Sequence, residues 1–90
     1  MSDAWKPAAN PEMLRLRASC YQQIRSFFLQ RGILEVETPI LSVAATTDPQ
    51  IESFSTQFHG PGPCNGQTCY LITSPEFHMK RLLAAGSGPI

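Results

Sequence analysis

The sequence predicts an α+β fold in which helices flank an antiparallel β-sheet. Apolar residues recur every three or four positions near 11–29 and again at 75–85, which is the spacing of amphipathic helices. Between these stretches, residues 33–38, 51–58 and 68–73 have strand character, with a period close to two. The chain has 90 residues, of which 42% are hydrophobic and 16% charged, so it fits one small domain or part of a larger one.

The first helix is predicted to start after Asn10 and to stop at Gly32. The Asn10 side chain can cap free backbone N–H groups, and Pro11 suits the first helical position because it has no N–H to lose. Gly32 can take the left-handed conformation that ends many helices. The apolar stripe consists of Met13, Leu16, Cys20, Ile24 and Phe27. We expect Cys20 to be a small core residue, and residues 1–9 to form a flexible leader.

A strand and a loop are predicted to follow. Leu34 and Val36 alternate with two glutamates, which gives the segment one apolar and one acidic edge. Pro39 offers no donor, so we expect ladder pairing to end there. Residues 42–50 have the composition of a loop, and Asp48 belongs to a common Asp-Pro turn for which no catalytic role is predicted.

The remaining elements are a hairpin and a second helix. Residues 51–58 and 68–73 are the predicted strands, and the glycines and prolines between them predict a long connection. Ser74 can cap the next helix, and Pro75 suits its first position. Glu76 then lies in the first turn, where the helix dipole favours a carboxylate. We expect the helix to run to Ala85 before Gly86, with its sheet-facing side formed by Phe77, Leu82 and Leu83.

Charge and hydropathy exclude several classes of protein. The chain has 7 basic and 7 acidic residues, and this neutral balance gives no electrostatic reason to expect nucleic-acid binding. No apolar run approaches the roughly 18–20 residues of a membrane-spanning helix. The N-terminus lacks the basic and apolar regions of a signal peptide. We therefore expect a cytoplasmic protein that does not associate with membranes.

The cysteines do not indicate a metal site. An odd count of 3 without a secretion signal argues for reduced thiols. His59, Cys64 and Cys69 supply three possible zinc ligands, but their spacing is wrong for a zinc finger and a fourth ligand is missing. The sequence therefore predicts no bound metal at these residues.

Two segments together resemble one known family. Residues 27–41, FFLQRGILEVETPIL, resemble motif 1 of class II aminoacyl-tRNA synthetases, in which a helix runs through a glycine into a strand that ends at a proline. Residues 73–83, TSPEFHMKRLL, resemble the amino-acid-binding corner of the lysyl branch. Ser-Pro-Glu alone would indicate only an ordinary helix start, but both motifs in this order are specific.

The resemblance implies a domain assignment. Residues 10–90 are similar to the N-terminal part of a class II synthetase catalytic domain, with motif 1 at about 25–41 and the amino-acid-binding corner at 73–83. Motifs 2 and 3 are absent. In this family they hold ATP, so the residues that bind ATP and Mg²⁺ are expected beyond Ile90. No catalytic residue is assigned within the chain, and it is expected to be inactive alone.

Within the lysyl branch, we expect no anticodon-binding domain, since the stretch before motif 1 is short. The resemblance therefore implies a stand-alone ligase that activates (R)-β-lysine with ATP and transfers it to a lysine side chain of elongation factor P. Ser74, Pro75 and Glu76 match the substrate-binding corner, and Glu76 matches the position that contacts a substrate amino group. The sequence does not distinguish lysine from β-lysine, and tRNA is not expected as the acceptor.

The resemblance also implies a homodimer. Phe27, Phe28 and Pro39 match positions at the subunit interface of the family. Two alternatives remain open from the sequence: a fragment of a lysyl-tRNA synthetase, and a non-catalytic truncated paralogue that acts only through the motif 1 dimer surface.

Overall fold

The computed structural model describes residues 2–90 and has the expected α+β content. Its elements, in chain order, are α1 (Pro11–Leu29), β1 (Leu41–Ser42), β2 (Ser55–Gln57), β3 (Thr68–Leu71) and α2 (Glu76–Ala84). The described residues divide into two compact units, one of residues 2–35 with Pro89 and the other of residues 36–88 with Ile90. No helix among the described residues is both long enough and apolar enough to cross a membrane.

Helix α1 begins as the sequence predicts. The Asn10 side-chain oxygen accepts a hydrogen bond from the Met13 N–H at 2.9 Å, and Pro11 occupies the first helical position. Of the predicted leader, Met1 lies outside the described residues. Residues 2–9 form turns and bends, in which the Lys6 ammonium lies 3.3 Å from an Asp3 carboxylate oxygen. The flexibility of this leader stays a prediction.

Helix α1 ends at Leu29, and the predicted glycine reverses the chain three residues later. Gly32 has a φ of 71°, in the left-handed region. Its N–H donates to the Leu29 carbonyl at 3.1 Å, and the Ile33 N–H donates to the Phe28 carbonyl at 3.1 Å. This pair of bonds satisfies carbonyls that the last turn leaves free, and the glycine pays no Cβ penalty for the reversal.

The predicted strand before Pro39 is wrong. Residues 33–38 form no regular strand, and the Leu34 N–H makes a single bond to the Pro89 carbonyl at 3.0 Å. A strand requires a neighbour that supplies a ladder of hydrogen bonds, and among the described residues no such neighbour pairs with this segment. Pairing instead begins after the proline, where the Ile72 N–H donates to the Ile40 carbonyl at 2.8 Å. Pro39 therefore precedes the ladder rather than ending it.

The three strands form an antiparallel sheet in the order β1-β3-β2. Leu41 lies opposite Leu71, and Thr56 lies opposite Cys69. The predicted hairpin is confirmed, although both of its strands are shorter than expected. Backbone bonds extend beyond the assigned strand ends, since the Leu71 N–H donates to the Phe54 carbonyl at 2.9 Å.

Helix α2 begins one residue later than predicted. Pro75 occupies the cap position, and its carbonyl accepts the first helical bond from the Met79 N–H at 2.9 Å. The Ser74 hydroxyl still accepts a hydrogen bond, from the Glu76 N–H at 3.2 Å. Gly86 ends the helix with a φ of 94°, as expected.

The covered face of α2 differs from the prediction. His78, Met79 and Leu82 are half-buried, whereas Phe77 is 53% exposed and Leu83 is 51% exposed. His78 and Leu82 lie one turn apart, so the covered stripe is rotated relative to the predicted one. Only Leu82 of the three expected sheet-facing residues lies on it.

None of the described residues is fully buried. Phe54 is 80% exposed, Leu29 is 76% exposed and Ile40 is 73% exposed. Cys20 is exposed as well, so the expectation that it is a core residue is wrong. The reason is that α1 has no buried face, although its apolar stripe has the predicted spacing.

Candidate functional site

A cleft of about 380 Å³ lies in the second unit, where the loop after β1 meets the junction between β3 and α2. The first wall comes from the loop and the second from the strand end and the first turns of the helix. The lining residues are Ser42, Ala44, Ala45, Thr46, Thr47, Asp48, Ile51, Leu71, Ile72, Thr73, Ser74, Glu76, Phe77, His78 and Arg81.

The structure places two of the three predicted substrate-binding residues in this cleft. Ser74 and Glu76 line it, and they are joined by the hydrogen bond from the Glu76 N–H to the Ser74 hydroxyl. Pro75 is not among the lining residues. Its φ of −77° and ψ of 0° turn the chain into the helix, one residue before Glu76.

The Glu76 carboxylate is paired with a cation of its own helix. The Lys80 Nζ lies 2.8 Å from the Glu76 Oε1, and both side chains are largely exposed. The hydrogen bond and the charge of Lys80 lower the pKa of the Glu76 carboxyl below its ordinary value, and desolvation opposes this only weakly. Glu76 is therefore ionised at neutral pH and can accept hydrogen bonds from an ammonium group.

No role at this site was predicted for Lys80, although its spacing from Glu76 is a signal of one. Glu76 and Lys80 are four residues apart on a predicted helix, with the acid nearer the N-terminus, which is the favourable arrangement for an ion pair on one face.

Asp48 also lies in the cleft, in the 42–50 loop, and no catalytic role was predicted for it. Its N–H donates to the Thr46 hydroxyl at 3.2 Å, and its carbonyl accepts from the Ile51 N–H at 3.1 Å. These two bonds fold residues 46–51 into a compact turn that presents Asp48 to the cleft. Only the folding of the loop against β3 and α2 reveals this, because Asp48 is distant from Glu76 in sequence.

The charges of the cleft suit a ligand with charges of both signs. Asp48 and Glu76 supply carboxylates, and Arg81 supplies a guanidinium from the next turn of α2. A carboxylate is the natural partner of an ammonium group, and a guanidinium is the natural partner of a carboxylate or phosphate. A cationic amino acid carries both kinds of group, so this arrangement can hold one.

The residues predicted to form a dimer interface are accessible. Phe27 is 49% exposed and Phe28 is 43% exposed, and their rings meet edge to face at 5.1 Å. The Arg31 guanidinium stacks over the Phe27 ring, 3.4 Å from its centroid. Pro39 is also exposed and lies in the other unit. Their role in an interface stays a prediction.

Among residues 2–90 there is no group of three or more His, Cys, Asp or Glu side chains that could hold a metal ion. Cys64 is an exposed free thiol and Cys69 a half-buried one. We therefore assign no metal ligand to this part of the chain.

Comparison with known proteins gives one consistent result. The family model described as tRNA synthetases class II (D, K and N) matches residues 3–90. A protein of Photobacterium profundum named elongation factor P–(R)-β-lysine ligase is 52% identical over 90 residues, which cover 100% of this chain and 28% of that protein. Proteins of the same name from Vibrio vulnificus and Pectobacterium carotovorum are 57% and 58% identical, over 100% and 97% of this chain. These matches cover 28% and 27% of the two relatives' own lengths.

Proposed function

Because this chain belongs to the class II tRNA synthetase family of the D, K and N group, we propose that it supplies the amino-acid-binding corner of a ligase. The proposed ligase activates (R)-β-lysine with ATP and transfers it to a lysine side chain of elongation factor P. The observation that carries the proposal is the ionised Glu76 carboxylate in the cleft at the start of α2. The names of the relatives support the substrate and the acceptor.

The proposed reaction has two steps. The carboxylate of β-lysine attacks the α-phosphorus of ATP, which gives a β-lysyl-adenylate and releases pyrophosphate. The amine of the acceptor lysine then attacks the acyl carbon, which releases AMP and leaves an amide bond. Both steps depend on the positioning of reactants and on neutralisation of phosphate charge, to which bound Mg²⁺ contributes.

In this proposal the described residues bind and orient the amino acid. Glu76 accepts hydrogen bonds from an ammonium group of the substrate, and Ser74 fixes the turn through its bond to the Glu76 N–H. Residues 10–90 are then the first part of the catalytic domain. We assign no ATP or Mg²⁺ contact to them, since the cleft offers one guanidinium and no cluster of metal ligands among the described residues.

Glu76→Gln in the full-length enzyme tests the proposal. The substitution keeps the shape of the side chain and removes the charge that attracts the ammonium group. We expect the KM for β-lysine in ATP–pyrophosphate exchange to rise about ten-fold or more, because a charge-assisted hydrogen bond is lost. The KM for ATP should stay unchanged.

Glu52→Gln is the matched control, since Glu52 is exposed in the same unit and does not line the cleft. An unchanged KM for β-lysine in the Glu76 variant would refute the assignment. The acceptor is tested separately. The enzyme that has formed the β-lysyl-adenylate is mixed with either elongation factor P or tRNA, and transfer to each is measured. Transfer to tRNA alone would favour a lysyl-tRNA synthetase.

We also propose that two copies of the protein associate through the motif 1 segment. The exposed rings of Phe27 and Phe28 support this, as does the lack of a partner strand for residues 33–38 among the described residues. Phe27→Ala with Phe28→Ala should shift the protein to monomers in sedimentation experiments. Phe54→Ala is the control, since Phe54 is 80% exposed but lies outside this segment. A dimer unaffected by the double substitution would contradict the proposal.

A further inference from the structure

The Glu76 carboxylate, which we propose binds the substrate, already has an ammonium partner in the free protein. The Lys80 Nζ lies 2.8 Å from the Glu76 Oε1, within hydrogen-bond distance. The end of a lysine side chain is a primary ammonium group, and lysine-type substrates present the same chemical group. The substrate and Lys80 are therefore competitors for one oxygen atom.

The position of Lys80 allows such an exchange. Lys80 is not among the residues that line the cleft, whereas Glu76 is. The pair thus lies at the edge of the cleft, with side-chain exposures of 63% for Lys80 and 62% for Glu76. An exposed ion pair between neighbouring turns of a helix is weak, because water competes with it and two long side chains must be ordered. Lys80 can turn into solvent at little cost.

We propose that Lys80 acts as an internal stand-in for the substrate ammonium group, pairing with Glu76 in the free protein and giving way when the amino acid binds. The inference rests on the proposed function, because it takes Glu76 as the residue that contacts the amino acid. It makes Lys80 a positioning residue rather than a catalytic one. Lys80 holds the carboxylate in an ionised, oriented state until the substrate takes its place.

The exchange bears on specificity. A ligand with an ammonium group can replace the contact that Lys80 gives up, so its net cost is small. A neutral ligand of similar shape cannot replace that contact, so it would have to bind beside an intact Glu76–Lys80 ion pair. Asp48, His78 and Arg81 also line the cleft and remain available to the rest of the substrate.

The first test is Lys80→Met in the full-length enzyme, with Lys6→Met as the control. Lys6 is the other lysine of the sequence, and it is also exposed and paired, 3.3 Å from Asp3. Removal of the competitor should lower the KM for β-lysine about two-fold, as expected from the strength of such pairs, without a change in the KM for ATP. The Lys6 variant should match the wild type.

The Glu76→Gln background separates this inference from the proposed function. If Glu76→Gln alone leaves the KM for β-lysine unchanged, the proposed function fails. If Glu76→Gln raises that KM but Lys80→Met leaves it unchanged or raises it, only the exchange is refuted. In the double variant, Lys80→Met should have no effect, because no carboxylate remains for the two cations to share.

A second measurement follows the Glu76 carboxyl by carbon NMR as the pH is lowered. Without substrate, Lys80→Met should raise the pKa of Glu76. With saturating β-lysine, both proteins should show the same pKa, because the substrate has replaced Lys80 in each. Asp48, His78 and Arg81 are present in both proteins and cancel in the comparison. If Lys80→Met still raises the pKa of Glu76 when β-lysine is bound, the ion pair of Glu76 and Lys80 remains intact in the complex. That result would overturn the proposal.

Discussion

Arg25 on α1 and Glu35 beyond the end of the helix are joined by a two-pronged contact. The Arg25 Nε lies 3.1 Å from each of the two Glu35 carboxylate oxygens. Because the chain reverses at Gly32 between them, this contact holds the segment after the helix against the last turns of α1. The described part of the first unit has two side-chain ion pairs. Arg25 and Glu35 are ten residues apart in sequence, whereas Lys6 and Asp3 are close neighbours.

We expect Arg25→Met to lower the stability of the protein only slightly. Both partners are more than half exposed, at 59% and 64%, so the free energy of unfolding should fall by less than about 1 kcal/mol. Thermal unfolding of the wild type and the variant measures this. Arg15→Met, which removes an exposed arginine without an ion pair among residues 2–90, is the control. A loss of several kcal/mol would mean that the contact is buried in the protein in solution.

Asn10→Ala should lower the stability of the protein more than Arg25→Met does, because it acts at the start of α1. The substitution removes the oxygen that accepts from the Met13 N–H, and loss of such a cap typically costs about 1 kcal/mol. Asn10→Ser should retain most of the stability, because serine also caps helices. Circular dichroism during thermal unfolding tests both variants. Equal stability of the alanine and serine variants would contradict the role of the cap.

The Glu76–Lys80 pair should make a small contribution that depends on pH. Lys80 lowers the pKa of Glu76 from its ordinary value of 4.5, so the folded protein binds this proton less readily than the unfolded chain does. The stabilisation is therefore complete above the unfolded pKa and disappears as the pH falls through the lower folded pKa. The free energy of unfolding is measured at neutral pH and at decreasing pH below 4.5. Over this range it should fall less for Lys80→Met than for the wild type.

The 90-residue chain alone should show no adenylation activity. The cleft supplies groups for an amino acid, but we assign no ATP or Mg²⁺ contact to the described residues. Pyrophosphate exchange with β-lysine should therefore be undetectable for residues 1–90 and measurable for the full-length enzyme. Activity of the short chain that is lost with Glu76→Gln would contradict this expectation.

The elements that obey local rules could be predicted from the residues alone. The cap at Asn10, the left-handed glycines Gly32 and Gly86, and the hairpin follow from hydrogen-bonding groups and dihedral limits within a few residues. The Ser-Pro-Glu corner could also be predicted, since a cap, a proline and an acid at a strand-to-helix junction are a local pattern. The ion pair of Glu76 and Lys80 could be predicted from their spacing alone.

Features that depend on distant neighbours in the chain could not be predicted without the folded protein. Residues 33–38 alternate like a strand, yet no ladder forms there, because a strand needs a partner that its own sequence does not specify. Asp48 reaches the cleft only because a loop folds against residues that lie later in the chain. The covered face of α2 was likewise set by what surrounds the helix, which is why His78 rather than Phe77 is half-buried. Periodicity shows that a face is apolar, but packing decides which face is covered.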